Sequence, residues 1–194
     1  MGLYKLVALT GVPCVGKSTV ANILAKYEDV EVVNLNRLII EKFSVESEGG
    51  VKTADMEALE KHVRNLKSDK TVILEGHLSH LLPVDIAIVL RCEPKLLYER
   101  LLQRYGIKGK CKIIENLEAE IIGAITCEAR CRGIKTLEID VSNKTPPQTA
   151  KLIRQILQGK DVNDFVNWLT EENIEFLHGI REKLKDYKFS SDYT

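Results

Sequence analysis

Apolar residues along the chain fall into short unbroken runs and into longer stretches where they recur every three or four positions. Leu6, Val7, Ala8 and Leu9 make the first run, and such a run describes a strand buried on both faces, as in a parallel sheet. A glycine-containing turn follows, and from Lys17 to Lys26 the residues Val20, Ile23 and Leu24 take helical spacing. Val30 to Val33 predicts a second strand and Leu38, Ile39 and Ile40 a helical stretch. Residues Ser44 to Thr53 have two glycines and little apolar content, which predicts a loop. A helix is expected from Asp55, with Leu59, His62, Val63 and Leu66 on one face. Further strands are expected at Thr71 to Leu74, Asp85 to Leu90 and Thr136 to Asp140.

The stretches between these runs are helical in pattern. Leu96, Leu97, Leu101 and Leu102 mark a helix that ends near Tyr105 and Gly106, and a long helix is expected from Ile113 to about Cys131. Pro146 and Pro147 open another helix to about Leu157, because proline is tolerated in a first turn. Five strands separated by helices predict an α/β fold, a parallel sheet covered by helices on both faces. Asp161 to Lys188, with Phe165, Leu169, Ile174, Leu177 and Leu184, is expected to form an appended helical segment.

At 194 residues the chain is long enough for one domain to bury roughly 70% of its unfolded surface without a staple. Its 28 basic and 28 acidic residues cancel, which argues against a general polyanion binder. The cancellation is uneven. Residues 161–194 hold 8 acidic and 4 basic side chains, leaving 20 acidic and 24 basic ones in the first 160, a net of +4. The five cysteines, Cys14, Cys92, Cys111, Cys127 and Cys131, are odd in number and form no Cys-x-x-Cys pair, so free thiols in a reducing compartment are expected. No apolar run approaches membrane-spanning length, and the first residues lack a charged then apolar leader. A cytoplasmic protein without membrane contact is the expectation.

Between the first strand and the first helix stands Gly11-Val12-Pro13-Cys14-Val15-Gly16-Lys17-Ser18, which fits the phosphate-binding loop pattern G-x-x-x-x-G-K-[ST] in its proper strand–loop–helix context. Glycines let the backbone curl so that successive N–H groups and the helix N-terminus face a nucleotide phosphate. Lys17 is expected to reach the β- and γ-phosphates, Ser18 to ligate Mg²⁺, and Thr19 to donate to the α-phosphate. The loop identifies a nucleoside triphosphate and leaves the acceptor open.

The third strand ends in Leu74-Glu75-Gly76-His77, which puts a carboxylate and an imidazole at the carboxyl edge of the sheet, where open α/β folds bind ligands. Glu75 is a candidate to hold Mg²⁺ through water, and His77 to position a nucleophile or polarise a phosphate. The basic stretch Arg104, Lys108, Lys110 and Lys112 reads as a lid whose cations close over phosphates, or else as a solvated loop.

Taken together, Gly11 to Thr19, Glu75-Gly76-His77, Arg91-Cys92, Arg100 to Tyr105 and Lys112 to Ile121 resemble the adenylate kinase isoenzyme 6 family, particularly its archaeal members. The resemblance spans about Lys5 to Gln158 and includes the Val141 to Pro146 loop; Phe165-Val-Asn-Trp168-Leu resembles the family's closing helix. It implies a P-loop NTPase of the nucleoside monophosphate kinase type that moves the γ-phosphoryl of ATP to AMP and hydrolyses ATP slowly. It also implies a part in small ribosomal subunit maturation, bound to a platform ribosomal protein. By position it assigns Cys14, Gly16, Lys17, Ser18 and Thr19 to ATP phosphates, Arg104 to ATP from the lid, and Lys144 to the neighbourhood of the adenine. Asn34, Asn36, Arg37 and Asp55 fall on the acceptor side, in a nucleoside monophosphate-binding insertion over residues 34–55. The lid covers residues 103–113, the kinase body residues 1–160, and a helical extension residues 161–194. Two positions depart from the family pattern: Cys14 stands where glycine is usual, and Glu75 where aspartate is usual. Cys14 fits if its φ is negative, with the side chain turned away from the phosphates.

Three functions stay open on these residues: an adenylate kinase-like phosphotransferase, a ribosome-assembly ATPase with incidental kinase activity, and a kinase for another small acceptor. The remaining candidates read as structural. Cys127 and Cys131 are one turn apart and read as buried packing cysteines, and His62 and His80 as partly buried residues of a helix and a loop.

Overall fold

In the computed structural model, which describes residues 3–46 and 52–185, the five expected strands form and run parallel in one sheet. They are β1 (Leu6–Thr10), β2 (Val30–Asn34), β5 (Thr71–Glu75), β6 (Ile86–Arg91) and β7 (Lys135–Asp140), in the order β2-β5-β1-β6-β7. Between them run α1 (Lys17–Leu24), α2 (Leu35–Leu38), α3 (Met56–Arg64), α4 (Pro94–Tyr105), α5 (Lys110–Ile121), α6 (Ala124–Cys131), α7 (Pro146–Leu157) and α8 (Glu171–Lys185). The register sets Leu9 of β1 beside Glu75 on one side and Ile88 on the other, and Glu75 beside Asn34 of β2. The carboxyl ends of β1, β2 and β5 therefore lie together.

Alternation along the strands divides the interior into two layers. Val7 and Leu9 join Ile73, Ile88 and Leu90 in a core closed by Val20 and Leu24 of α1 and Ile153 and Ile156 of α7. On the other face Ala8 and Ala87 meet Ala129 of α6, while Val72 and Leu74 meet Leu35, Leu59 and Val63. Small residues on that face let α6 approach the sheet closely.

Four expected elements differ. Residues 44–53 are not a plain loop: Ser44–Glu46 (β3) and Lys52–Ala54 (β4) pair antiparallel, with residues 47–51 outside the described residues. The long helix after Ile113 is two helices. Gly123 breaks it with φ +65°, a left-handed backbone that glycine adopts freely, and a Cβ there would only touch the Arg91 guanidinium at 3.4 Å, so the backbone turn and not crowding calls for glycine. Lys110 and Lys112 lie in α5, so only the short 3₁₀ turn Ile107–Gly109 remains of the expected basic loop. Residues 161–169 are not helical; α8 starts at Glu171, and residues 186–194 lie outside the described residues.

Arg91 shows what fixes α5 to the sheet. Its Nε donates to Glu120 Oε1 at 2.8 Å, one Nη donates to the Glu120 backbone carbonyl at 2.7 Å, and the other pairs with Glu138. Glu120 also accepts from the Cys92 backbone N–H at 3.0 Å. All three charged side chains are buried, and burial pushes the Glu120 carboxyl up while Arg91 opposes that shift. Losing one partner would leave an uncompensated buried charge, which costs about 3–5 kcal/mol.

Cys127 and Cys131 are exposed, not packed inside, because their helical face turns from the sheet that Ala129 touches. His80 is fully buried: its Nδ1 pairs with Thr10 Oγ1 at 3.2 Å and its Nε2 with Glu128 at 2.8 Å.

Candidate active site

The chain leaves β1 at Thr10 and curls through Gly11 to Gly16 before α1 begins. Gly11 has φ +136°, and a Cβ there would lie 2.5 Å from the Leu90 carbonyl oxygen, so only glycine passes. Gly16, at φ +101°, precedes Lys17 as the cap of α1. Cys14 has φ +70°, which corrects the expectation of a negative φ. Its backbone keeps the left-handed geometry that glycine adopts freely, and strain of about 1–2 kcal/mol is the cost of a side chain there.

Lys17 is buried, and its Nζ donates to the carbonyls of Gly11 (2.8 Å) and Val12 (2.9 Å). Burial pushes its pKa down to about 8, against the attraction of Glu75. Glu75, the last residue of β5, is 3% exposed. Its carboxylate accepts the Ser18 hydroxyl at 2.9 Å on one oxygen and Asn34 Nδ2 at 2.6 Å on the other. Asn34 is thereby a positioning residue for Glu75, a role its register opposite Glu75 makes possible. It also caps α2 by accepting from the Arg37 N–H. Partial burial, then the cation of Lys17 and the neighbouring His80, lower the His77 pKa below the usual imidazole range.

Lys17, Ser18, Glu75 and His77 line one cleft of about 450 Å³, with Pro13, Cys14, Gly16, Thr19, Asn36, Arg104 and Tyr105 also on its walls; Asn34 is not among the lining residues. A second cavity of about 260 Å³ shares Cys14, Gly16 and Thr19 and continues over Val20, Arg100, Val141, Lys144, Pro146 and Thr149. Cys14 thus stands between the two. Of the acceptor-side candidates, Asn36 lines the cleft. Arg37 is instead exposed and paired with Glu41, and Asp55 caps α3 by accepting from Ala58 N–H; neither is among the lining residues.

Arg100 and Tyr105 belong to a stretch that carries the resemblance but received no role there, and both face these cavities. The spacing carried a signal: Arg100 and Arg104 are four apart on α4 and so share a face. Arg104 lies over the Tyr105 ring at 5.5 Å.

Ser18 and Glu75 supply hard oxygen donors, the class Mg²⁺ prefers, and a buried carboxylate bonded only by neutral donors fits a divalent cation beside it. Among the described residues no cluster of three or more His, Cys, Asp or Glu side chains could hold a metal alone. No helix among them is long and apolar enough to cross a membrane.

A parallel sheet of this order with a lysine-bearing phosphate loop and a carboxylate at the adjacent strand end defines a P-loop NTPase fold. Comparison with known proteins agrees: residues 7–123 match the AAA domain family. The chain is 40% identical over 148 residues to a Pyrococcus abyssi protein named "Putative adenylate kinase", covering 76% of this chain and 81% of that one. Proteins of the same name from Pyrococcus furiosus (38% over 176 residues, 89% and 97% of the two chains) and Methanocaldococcus jannaschii (35% over 176 residues, 88% and 96%) are similar nearly end to end. The chain belongs to this archaeal adenylate kinase-like family, the relationship its motifs imply.

Proposed function

We propose that the chain transfers the γ-phosphoryl of ATP to AMP or a related nucleoside monophosphate. The observation that carries this is the convergence of Lys17, the Ser18–Glu75 pair and Arg104 on one cleft that continues into a second cavity across the phosphate loop. The triphosphate lies along the loop with its base toward Val141 and Lys144. Lys17 exchanges its two loop carbonyls for phosphate oxygens. Ser18, and Glu75 through water, would hold Mg²⁺, which when bound would neutralise part of the phosphate charge. Arg104, on the 103–113 lid, and the Lys17 ammonium then stabilise charge on the transferring group, so in-line transfer rests on positioning and charge neutralisation. His77, neutral at pH 7 by its lowered pKa, orients the attacking oxygen of the acceptor, and Asn36 contacts the acceptor from the 34–55 insertion. The resemblance alone supports acceptor contacts from Arg37 and Asp55.

ADP formation from ATP and AMP by purified protein tests this. Lys17→Ala is expected to abolish it, and wild-type activity in that variant overturns the assignment.

A second reading is ATP hydrolysis in the service of small ribosomal subunit maturation. Its support is that Ser18 and His77 stand exposed at the cleft, where water reaches them, and that the first 160 residues are mildly basic. ATP-sensitive association with a small-subunit platform ribosomal protein is the expected result; its absence removes this reading.

A further inference from the structure

Asp164 lies outside both cavities, in the non-helical segment between α7 and α8, yet three hydrogen bonds tie it to the nucleotide side of the molecule. Its backbone N–H donates to the Glu138 carbonyl at 3.0 Å, and its Oδ2 accepts the Asp140 N–H at 2.8 Å. Asn163 adds a further link, accepting the Glu138 N–H at 2.8 Å. The free edge of β7 is thus satisfied by this segment, which is held in register along it. The third bond points toward the ligand side. Asp164 Oδ2 also accepts from Lys144 Nζ at 3.2 Å, and the same ammonium donates to the Asp140 carbonyl at 2.7 Å.

Lys144 lines the 260 Å³ cavity with Val141, Pro146, Thr149 and Arg100. Two of its three N–H donors are taken by Asp140 and Asp164, so one remains for whatever occupies the cavity. A lysine carries four rotatable carbons, and an ammonium without a counter-charge would have to shed water before a neutral ring could lie against it. The carboxylate of Asp164 answers both costs: it fixes the head group and neutralises it.

We infer that Asp164 is a positioning residue for the base of the donor nucleotide, acting through Lys144, so that the segment after α7 completes the nucleotide site. This rests on the reading of the 260 Å³ cavity as the base pocket. The loop that lines that pocket is braced from the other side as well. Asp140 Oδ1 accepts both the N–H and the hydroxyl of Ser142, and Ser142 Oγ accepts the Glu93 N–H at 2.8 Å. Asp164 closes a bracket around residues 140–144.

Asp164→Asn separates the two jobs of this side chain. The amide oxygen still accepts the Asp140 N–H, so the segment stays on the β7 edge, while the charge opposite Lys144 is gone. Binding is read by calorimetry on the full chain with a non-hydrolysable Mg·ATP analogue and, in parallel, with inorganic tripolyphosphate, which has no base. For a partly exposed ion pair the expected weakening of analogue binding is about threefold to fivefold, with tripolyphosphate affinity unchanged. In a Lys144→Met background the Asp164→Asn change is expected to add nothing further. The inference is overturned if analogue affinity does not change, if tripolyphosphate weakens equally, or if the two substitutions act independently. A circular dichroism melt matching wild type excludes general unfolding as the cause, and a large drop in melting temperature would mean that Asp164 is structural, which also overturns it. Because binding is read without turnover, absence of AMP phosphorylation in wild type would overturn the kinase reading alone.

Discussion

Glu75→Gln isolates charge from shape at the centre of the cleft. The glutamine is isosteric, and its neighbours can be re-satisfied: the amide oxygen accepts Asn34 Nδ2, and the amide nitrogen donates to Ser18 Oγ, whose hydroxyl reverses its role. What is lost structurally is the charge assistance of two hydrogen bonds, worth about 1 kcal/mol in total once neutral bonds replace them. For a chain of this size that is a fall of about 2–4 °C in melting temperature. What is lost chemically is larger. The carboxylate is the buried anion beside Lys17 and the only charged oxygen donor next to Ser18 in the cleft lining. Removing a preorganised electrostatic partner of a transferring phosphoryl group costs on the order of a hundredfold to a thousandfold in kcat. The assay is ADP formation from ATP and AMP at saturating Mg²⁺, run beside a thermal melt of the same preparation. Near wild-type turnover would refute the role given to the Glu75 charge. A melting temperature that collapsed by more than about 10 °C would show instead that the carboxylate holds the fold, since that exceeds what two weakened hydrogen bonds can supply.

Three further outcomes follow from the loop itself. Lys17 titrates near 8 in the free protein, so affinity for ATP should fall about tenfold between pH 7 and pH 9 as the ammonium that meets the phosphates is lost; calorimetry on Lys17→Met should lack that dependence. Because its folded pKa lies below the unfolded value of 10.5, the unfolded chain binds more protons between pH 8 and 10.5, so Lys17 makes stability rise with pH in that window, by about 3 kcal/mol in all. Gly11→Ala places a Cβ 2.5 Å from the unyielding Leu90 carbonyl at φ +136°. Strain and displacement together cost at least about 3 kcal/mol, and a chemical denaturation curve superimposing on wild type would contradict that geometry.

The phosphate loop and its flanking strand and helix were legible because every determinant is local. An apolar run, two glycines and a Lys-Ser pair occupy consecutive positions, and backbone sterics translate them directly into a strand, a curl and a helix start. The five-strand parallel sheet followed from the alternation of apolar runs with helical spacing, since a parallel sheet buried on both faces needs both. The errors of detail have the same origin. Nothing in the periodicity from Ile113 to Cys131 marks a break, because apolar spacing continues through Gly123; the break is the left-handed backbone that Gly123 takes, which apolar spacing does not report. The antiparallel pair Ser44–Glu46 and Lys52–Ala54 was hidden because such short strands carry few apolar residues.

Sequence by itself therefore determined the fold class, the triphosphate loop and the candidacy of Glu75, His77 and Arg104. Tertiary structure decided what those residues touch. Asn34 became the partner of Glu75 only through the β2–β5 register, Arg37 turned to Glu41 and away from the cleft lining, and Cys14 took a glycine-like backbone because the loop's curl dictates φ whatever residue stands there. Asp164 reaches Lys144 for a reason no local pattern contains: the edge of β7 needs hydrogen-bond partners, and the chain supplies them from a segment 24 to 26 residues further on. Local sterics and periodicity are written in adjacent residues, whereas charge pairing and edge satisfaction depend on which distant segments the topology brings together.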